Sequence, residues 1–192
     1  MNHEAPLAVP LSGHLYRIAN YDTPFWVRAN SSPGRFHRPE HGLSVQYWST
    51  TPHAAWAEHL RRESITDPAD LELMRSRLWA AYWRLTSLAD LTTPQWQQWC
   101  DVTPRALVAP THARCQAAGA KVRELDLDGL IAPSAAIAGG INVVVFGPRA
   151  TGDWVAQPDG EAAKLPSTSF VPAQLAATGQ PDPDLLGHVR QR

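Results

Sequence analysis

The stretch LSVQYWSTTPHAAWAEHLRR, residues 43–62, carries two hydrophobic periods side by side. From Leu43 to Thr50 the period is two, with Val45, Tyr47 and Ser49 on one face and Gln46 and Trp48 on the other, as a strand requires. Thr51-Pro52 then opens a helix. The threonine hydroxyl can accept from the first unpaired amides, and proline at the first helical position loses nothing by lacking an N–H. The helix runs to about Arg62, with Trp56 and Leu60 on one stripe and Ala54, Ala55 and Glu58 on another. A carboxylate beside two alanines lies on a shallow surface that a ligand can approach closely.

Upstream, His14 to Ala19 reads as a strand. Asn20 to Gly42 has almost no periodicity and is broken by Pro24, Pro33, Gly34, Pro39 and Gly42. An irregular segment of that length in a compact domain is more often functional than idle, and this one carries Arg28, Arg35 and Arg38. Downstream, Arg77 to Leu85 suits a strand, and Thr93-Pro94 repeats the cap-and-proline signal before a short helix reaching Trp99. Pro110 to Ala118 suggests a helix stopped by Gly119. Leu130 to Ala132 reads as a buried strand ending at Pro133-Ser134, and Ile141 to Phe146 as a strand closed by Gly147-Pro148.

After Ala150, Gly, Pro, Asp and Gln increase and apolar periodicity weakens, with Ser169 to Ala177 expected to be helical. The expected division is a lead-in over 1–13, a catalytic domain over 14–150, and an extension over 151–192 that packs on the domain or frays from it. The mixed order of strands and helices points to a single α+β domain.

Composition narrows the function classes. The chain has 192 residues, 44% hydrophobic and 18% charged, with a net charge of −1, which suits one globular domain. No basic stripe offers a phosphate-tracking surface, so direct nucleic-acid binding is not expected. Cys100 and Cys115 make neither a disulfide framework nor a zinc spacing and are expected to be reduced and structural. Residues 1–13 lack a basic segment followed by an apolar run, and no stretch approaches the roughly 20 apolar residues of a membrane span. A cytoplasmic location and no membrane partner are the expectations. Four of the eight tryptophans, Trp79, Trp83, Trp96 and Trp99, fall between motifs and are expected to be packing residues.

Familiar phosphate-cradling glycine loops and HExxH are absent. His37 and His41 are four apart, but Pro39 breaks the helix that would align them, so no metal site is expected. Asp126 and Asp128 read as a solvated turn. What remains is Arg17, Arg35, Tyr47, Glu58 and Ser134. Together they suit a pyrophosphate-bearing nucleotide. Arginines pair with phosphate, a tyrosine ring stacks on a base, a carboxylate binds ribose hydroxyls and steadies an oxocarbenium-like transition state, and a serine orients an amide. Each also has a purely structural alternative: surface arginine, core-edge tyrosine, solvated glutamate, cap serine.

The order and context of these residues resemble the RES-domain family of bacterial proteins. The matching pieces are Leu15-Tyr16-Arg17, Gly34-Arg35-Phe36, Tyr47-Trp48-Ser49, Ala54-Ala55-Trp56-Ala57-Glu58, and Gly129 to Ser134 followed by Asn142 and the strand to Phe146. The literal Arg62-Glu63-Ser64 does not match the family's three separated groups. The resemblance implies a fold with ADP-ribosyltransferase-like mixed sheets flanked by short helices. It also implies an enzyme that degrades NAD by cleaving its nicotinamide–ribose bond, with water or inorganic phosphate as acceptor. NAD is then substrate and no cofactor is expected. On the same resemblance, Glu58 is the principal catalytic carboxylate, Arg35 holds the NAD phosphates, Tyr47 packs on the nicotinamide side, Ser134 supports that end, and Arg17 is a second anchor. The implied macromolecular partner is an antitoxin covering the site, with a homodimer as a further expectation. An ADP-ribosyltransferase acting on a macromolecule and a non-catalytic partner-binding module are the alternatives.

Overall fold

A computed structural model describes residues 4–21, 24–25, 29–39, 44–147, 149–151, 154–155 and 173–191. Five strands close on themselves: β1 (Val9–Ile18), β2 (Val45–Ser49), β3 (Ser76–Asp90), β4 (Gly129–Pro133) and β5 (Ile141–Phe146). The order is β1-β2-β5-β4-β3, and β3 returns to β1. All contacts are antiparallel except the parallel β3–β4 pair. Among the described residues, five helices accompany the barrel: α1 (Pro52–Glu63), α2 (Pro68–Leu73), α3 (Pro94–Trp99), α4 (Pro104–Val108) and α5 (Ala113–Arg123). Two short strands, β6 (Arg149–Thr151) and β7 (Trp154–Val155), pair with each other, and β8 (Ala173–Gly179) pairs with the first half of β3. A 3₁₀ turn, Pro183–His188, follows. The molecule is thus a single mixed α+β domain.

Period-two patterning decides what enters the barrel. Leu15 of β1, Trp48 of β2, Trp83 of β3 and Val143 and Val145 of β5 point inward around Phe25. The Trp48 and Trp83 rings meet edge to face at 5.2 Å, and Phe25 lies 5.7 and 5.9 Å from them. Neither indole N–H has a hydrogen-bond partner among the described residues, so ring packing holds this plug.

The alternate positions face outward and are covered by helices. Val45, Val144, Phe146, Leu130 and Ala132 pack against residues of α3, α4 and α5, with Tyr47 at the margin. Ala55, Trp56 and Leu60 of α1 pack on Ile18, Ala136, Leu185 and Val189.

Several expectations change. β1 begins at Val9, inside the expected lead-in, and β3 continues to Asp90 because its length serves β1, β4 and β8. Gly119 does not stop a helix; it lies within α5, where a Cβ would sit 2.3 Å from the Phe36 carbonyl oxygen. Ala173 to Ala177, expected to be helical, belongs to β8, while residues 169–172 lie outside the described set. Asp128 is buried rather than solvated: its carboxylate accepts from Thr86 N at 2.6 Å, Ser87 N at 3.1 Å and Thr86 Oγ1 at 3.0 Å, tying β4 to β3. Asp126 stays exposed, in a left-handed turn at φ 54°.

Candidate active site

The β2–α1 junction places Glu58. Thr51 caps α1 by accepting from Ala54 N at 3.2 Å, and Thr50 N donates to Ile141 O at 3.0 Å, so the helix start is tied to β5. Glu58 follows on the second turn, half-buried, on a helix whose Ala54, Ala55 and Ala57 are buried. Its Oε1 accepts two hydrogen bonds, from Ser134 Oγ at 2.7 Å and from Asn142 Nδ2 at 2.7 Å. Asn142 in turn accepts from Ser49 Oγ at 2.8 Å, and Ser49 and Asn142 are register partners across β2 and β5. No hydrogen bond to Glu58 Oε2 is found among the described residues.

Ser134 is almost fully enclosed and cannot turn away. Its Oγ accepts from Ala136 N at 3.1 Å and Ile137 N at 3.3 Å, which leaves its one proton for Glu58. The loop that follows is closed by Ser134 N donating to Gly140 O at 2.7 Å. A Cβ on Gly140 would come within 2.9 Å of Ser134 Cβ, so close approach requires glycine there. Arg61 donates to the Ala135 carbonyl, and Arg190 N donates to Ala136 O at 2.7 Å.

A second group is built on the outer face of the same strand. The phenol of Tyr47 accepts from Phe36 N at 2.9 Å and lies 2.9 Å from His37 Nδ1, while His37 Nε2 lies 2.9 Å from Ser32 O. A carbonyl can only accept, so Nε2 carries the ring proton, Nδ1 accepts, and the tyrosine proton points to His37. Burial holds the phenol pKa well above its usual value and lowers that of His37, so both rings stay neutral. This clamp fixes Arg35, whose Nη1 donates to Leu107 O at 3.2 Å and Ala109 O at 2.7 Å at the end of α4. Tyr47 and Ser49 share one strand face about 7 Å apart, a two-residue step. The clamp is therefore adjacent to the Glu58 network.

Arg17 belongs to a third group. It follows Leu15 on the inward face of β1, lies 6.0 Å from the Trp48 ring, and donates to Pro24 O at 2.9 Å. Burial first, and then the charge of Arg62, bring its pKa down to about 10, which leaves it cationic at neutral pH. Arg62 stands one helical turn beyond Glu58. The structure therefore joins Glu58 to Ser134 directly, joins Arg35 to Tyr47 through the 34–37 turn, and sets Arg17 at the barrel beside α1. The supporting parts played by Ser49, Asn142 and His37 go beyond the five candidates. The signal for Asn142 was a lone amide in an otherwise apolar strand.

Both cysteines are free and buried, with burial raising the thiol pKa of each, to about 11 for Cys100. His41 lies outside the described residues. No helix among the described residues is long and apolar enough to cross a membrane.

The architecture defines a class: a small α+β barrel on which an arginine, a helical glutamate and a loop serine, far apart in sequence, are fixed by dedicated hydrogen bonds. The family model of the RES domain matches residues 14–165, and the chain belongs to the RES-domain family. Among solved structures it is similar to a chain in the crystal structure of the M. tuberculosis MbcT–MbcA toxin–antitoxin complex, with 19% identity and a TM-score of 0.65. That match covers 94% of this chain and 90% of the other. No curated protein matches the chain.

Proposed function

We propose that the chain is an NAD-degrading enzyme, with Glu58 as its catalytic carboxylate. The observation that carries this reading is the division of labour within Glu58. One oxygen is bound by Ser134 and Asn142, and the other, without a hydrogen bond among the described residues, is the one we assign to the substrate. Nicotinamide leaves NAD as a neutral base, taking the electrons of the C–N bond, so its departure needs no general acid. Positive charge then develops on the ribose. A fixed carboxylate oxygen bonded to a ribose hydroxyl stabilises that charge more in the transition state than in the ground state. Water or inorganic phosphate completes the reaction at the vacated carbon, giving ADP-ribose and a proton, or ADP-ribose phosphate. Arg35 and Arg17 supply positive charge for the pyrophosphate, Tyr47 an aromatic wall on the nicotinamide side, and Ser134 the fixed edge of that end.

Membership of the RES-domain family and likeness to a chain of a toxin–antitoxin complex support placing the protein as a toxin that pairs with an antitoxin. We further assign the barrel to the ADP-ribosyltransferase-like folds. The decisive experiment incubates the purified protein with NAD, with and without phosphate, and identifies the products by mass spectrometry. Free nicotinamide with ADP-ribose or its phosphate is expected. Label fixed on a macromolecule would indicate a transferase instead, and intact NAD would overturn the reading. Glu58→Gln is expected to lower turnover about 10²-fold or more, the size of a key electrostatic group, with folding unchanged by circular dichroism.

A further inference from the structure

Asn142 occupies a position where an apolar residue would suit the strand better. Its neighbours on the same face of β5 are Val144 and Phe146, both buried. An amide there is accounted for by its two partners. Glu58 Oε1 accepts, so the side chain turns Nδ2 to it, leaving Oδ1 for the Ser49 hydroxyl. The flip of the amide is thus set from behind by a residue on the neighbouring strand. Ser49 is buried and is the register partner of Asn142, so backbone pairing fixes their separation.

We propose that Asn142, backed by Ser49, is a positioning residue that holds Glu58 in the rotamer presenting Oε2 to the substrate. This rests on the reading of the site as NAD-cleaving. Ser134 alone would leave the carboxylate free to swing about a single bond. A second donor on the same oxygen removes that freedom before substrate arrives, the kind of orientation a reacting group needs.

The test compares Asn142→Ala, Asn142→Asp and Ser49→Ala with wild type in NAD turnover, each confirmed folded by urea titration. Asn142→Ala is expected to lower kcat about tenfold, the range found for residues that orient a reactive ligand, with KM within about twofold. Asn142→Asp keeps the shape but removes the donor and sets a second carboxylate against Glu58, so its kcat falls further. A space-filling role predicts the reverse order. Ser49→Ala is expected to cost about fivefold, one neutral hydrogen bond, and to add nothing to Asn142→Ala in the double variant. An aspartate variant as active as the alanine variant, or losses confined to KM, would overturn the proposal. If wild type leaves NAD intact, the functional reading fails separately. The relay is then judged by NMR of the Asn142 side-chain amide. Amide signals displaced in wild type and returned to free-amide positions in Glu58→Ala support it, and signals unmoved by that substitution refute it.

Discussion

Arg35 reaches the carbonyls of Leu107 and Ala109 while its backbone is held by the Tyr47 clamp, so its guanidinium is fixed before any anion arrives. Arg35→Ala is expected to raise the KM for NAD about tenfold, the loss of one charge-assisted contact, with kcat little changed; an unchanged KM in initial-rate assays removes Arg35 from the binding site. His59 gives a pH prediction. Its Nδ1 accepts from Arg62 Nη2 at 2.9 Å and its Nε2 lies 3.1 Å from Ser76 Oγ, so the folded protein holds the neutral ring, and burial followed by the Arg62 charge lowers its pKa to about 4. The unfolded chain takes up its proton near the ordinary value of about 6.5. The contribution of His59 to stability is therefore complete above that pH and is lost as pH falls towards 4. Tm should decline through that window, and His59→Gln should flatten the decline. Glu58, Ser134, Ser49 and Asn142 all stand in the segments that resemble the family, and the structure links them in one hydrogen-bonded network. Ser49 and Asn142 make sense only as a pair, and strand register, which brings residues 49 and 142 together, is not written in either segment alone.

Among the elements, the strand at 45–49, the helix at 52–63 and the strand at 141–146 follow from period and capping, because local chemistry decides them. The cap-and-proline signal that marks α3 at Thr93-Pro94 also stands at Asp67-Pro68 and Thr103-Pro104, before α2 and α4, and there the cap side chains do bond the helix amides, which Thr93 does not. β8 shows the opposite case. Ala173 to Gly179 has poor strand propensity, and pairing with β3 overrides it. Gly119 is legible as a helix breaker and acts instead as a contact, letting α5 press on the turn that carries Arg35. Gly119→Ala gains about 1 kcal/mol of helix propensity but drives a Cβ against backbone, which overpacking data put at about 1–3 kcal/mol. A net loss of up to about 2 kcal/mol is expected in urea unfolding, together with a raised KM for NAD. A stabilised variant would show that the turn yields freely.

For the molecule as a whole, the barrel is closed by strands far apart in sequence, and the last described residues return to α1. Leu185 and Val189 are buried with Ile18, Leu60 and Ala136. Leu185→Ala is expected to destabilise the fold by about 2–5 kcal/mol, the range for a truncated core leucine, measured by the shift in urea midpoint. Turnover should fall beyond the loss of folded protein, because the packing that seats α1 and the residues after Ser134 is shared. Unimpaired turnover per folded molecule would separate the two.

The bond from Arg190 N to Ala136 O also clasps the segment around residue 190 to the loop after Ser134. A proline at position 190 would delete that single donor and orphan the Ala136 carbonyl without touching any side chain of the site. Activity compared between Arg190→Pro and wild type would report how far the chemistry leans on this clasp.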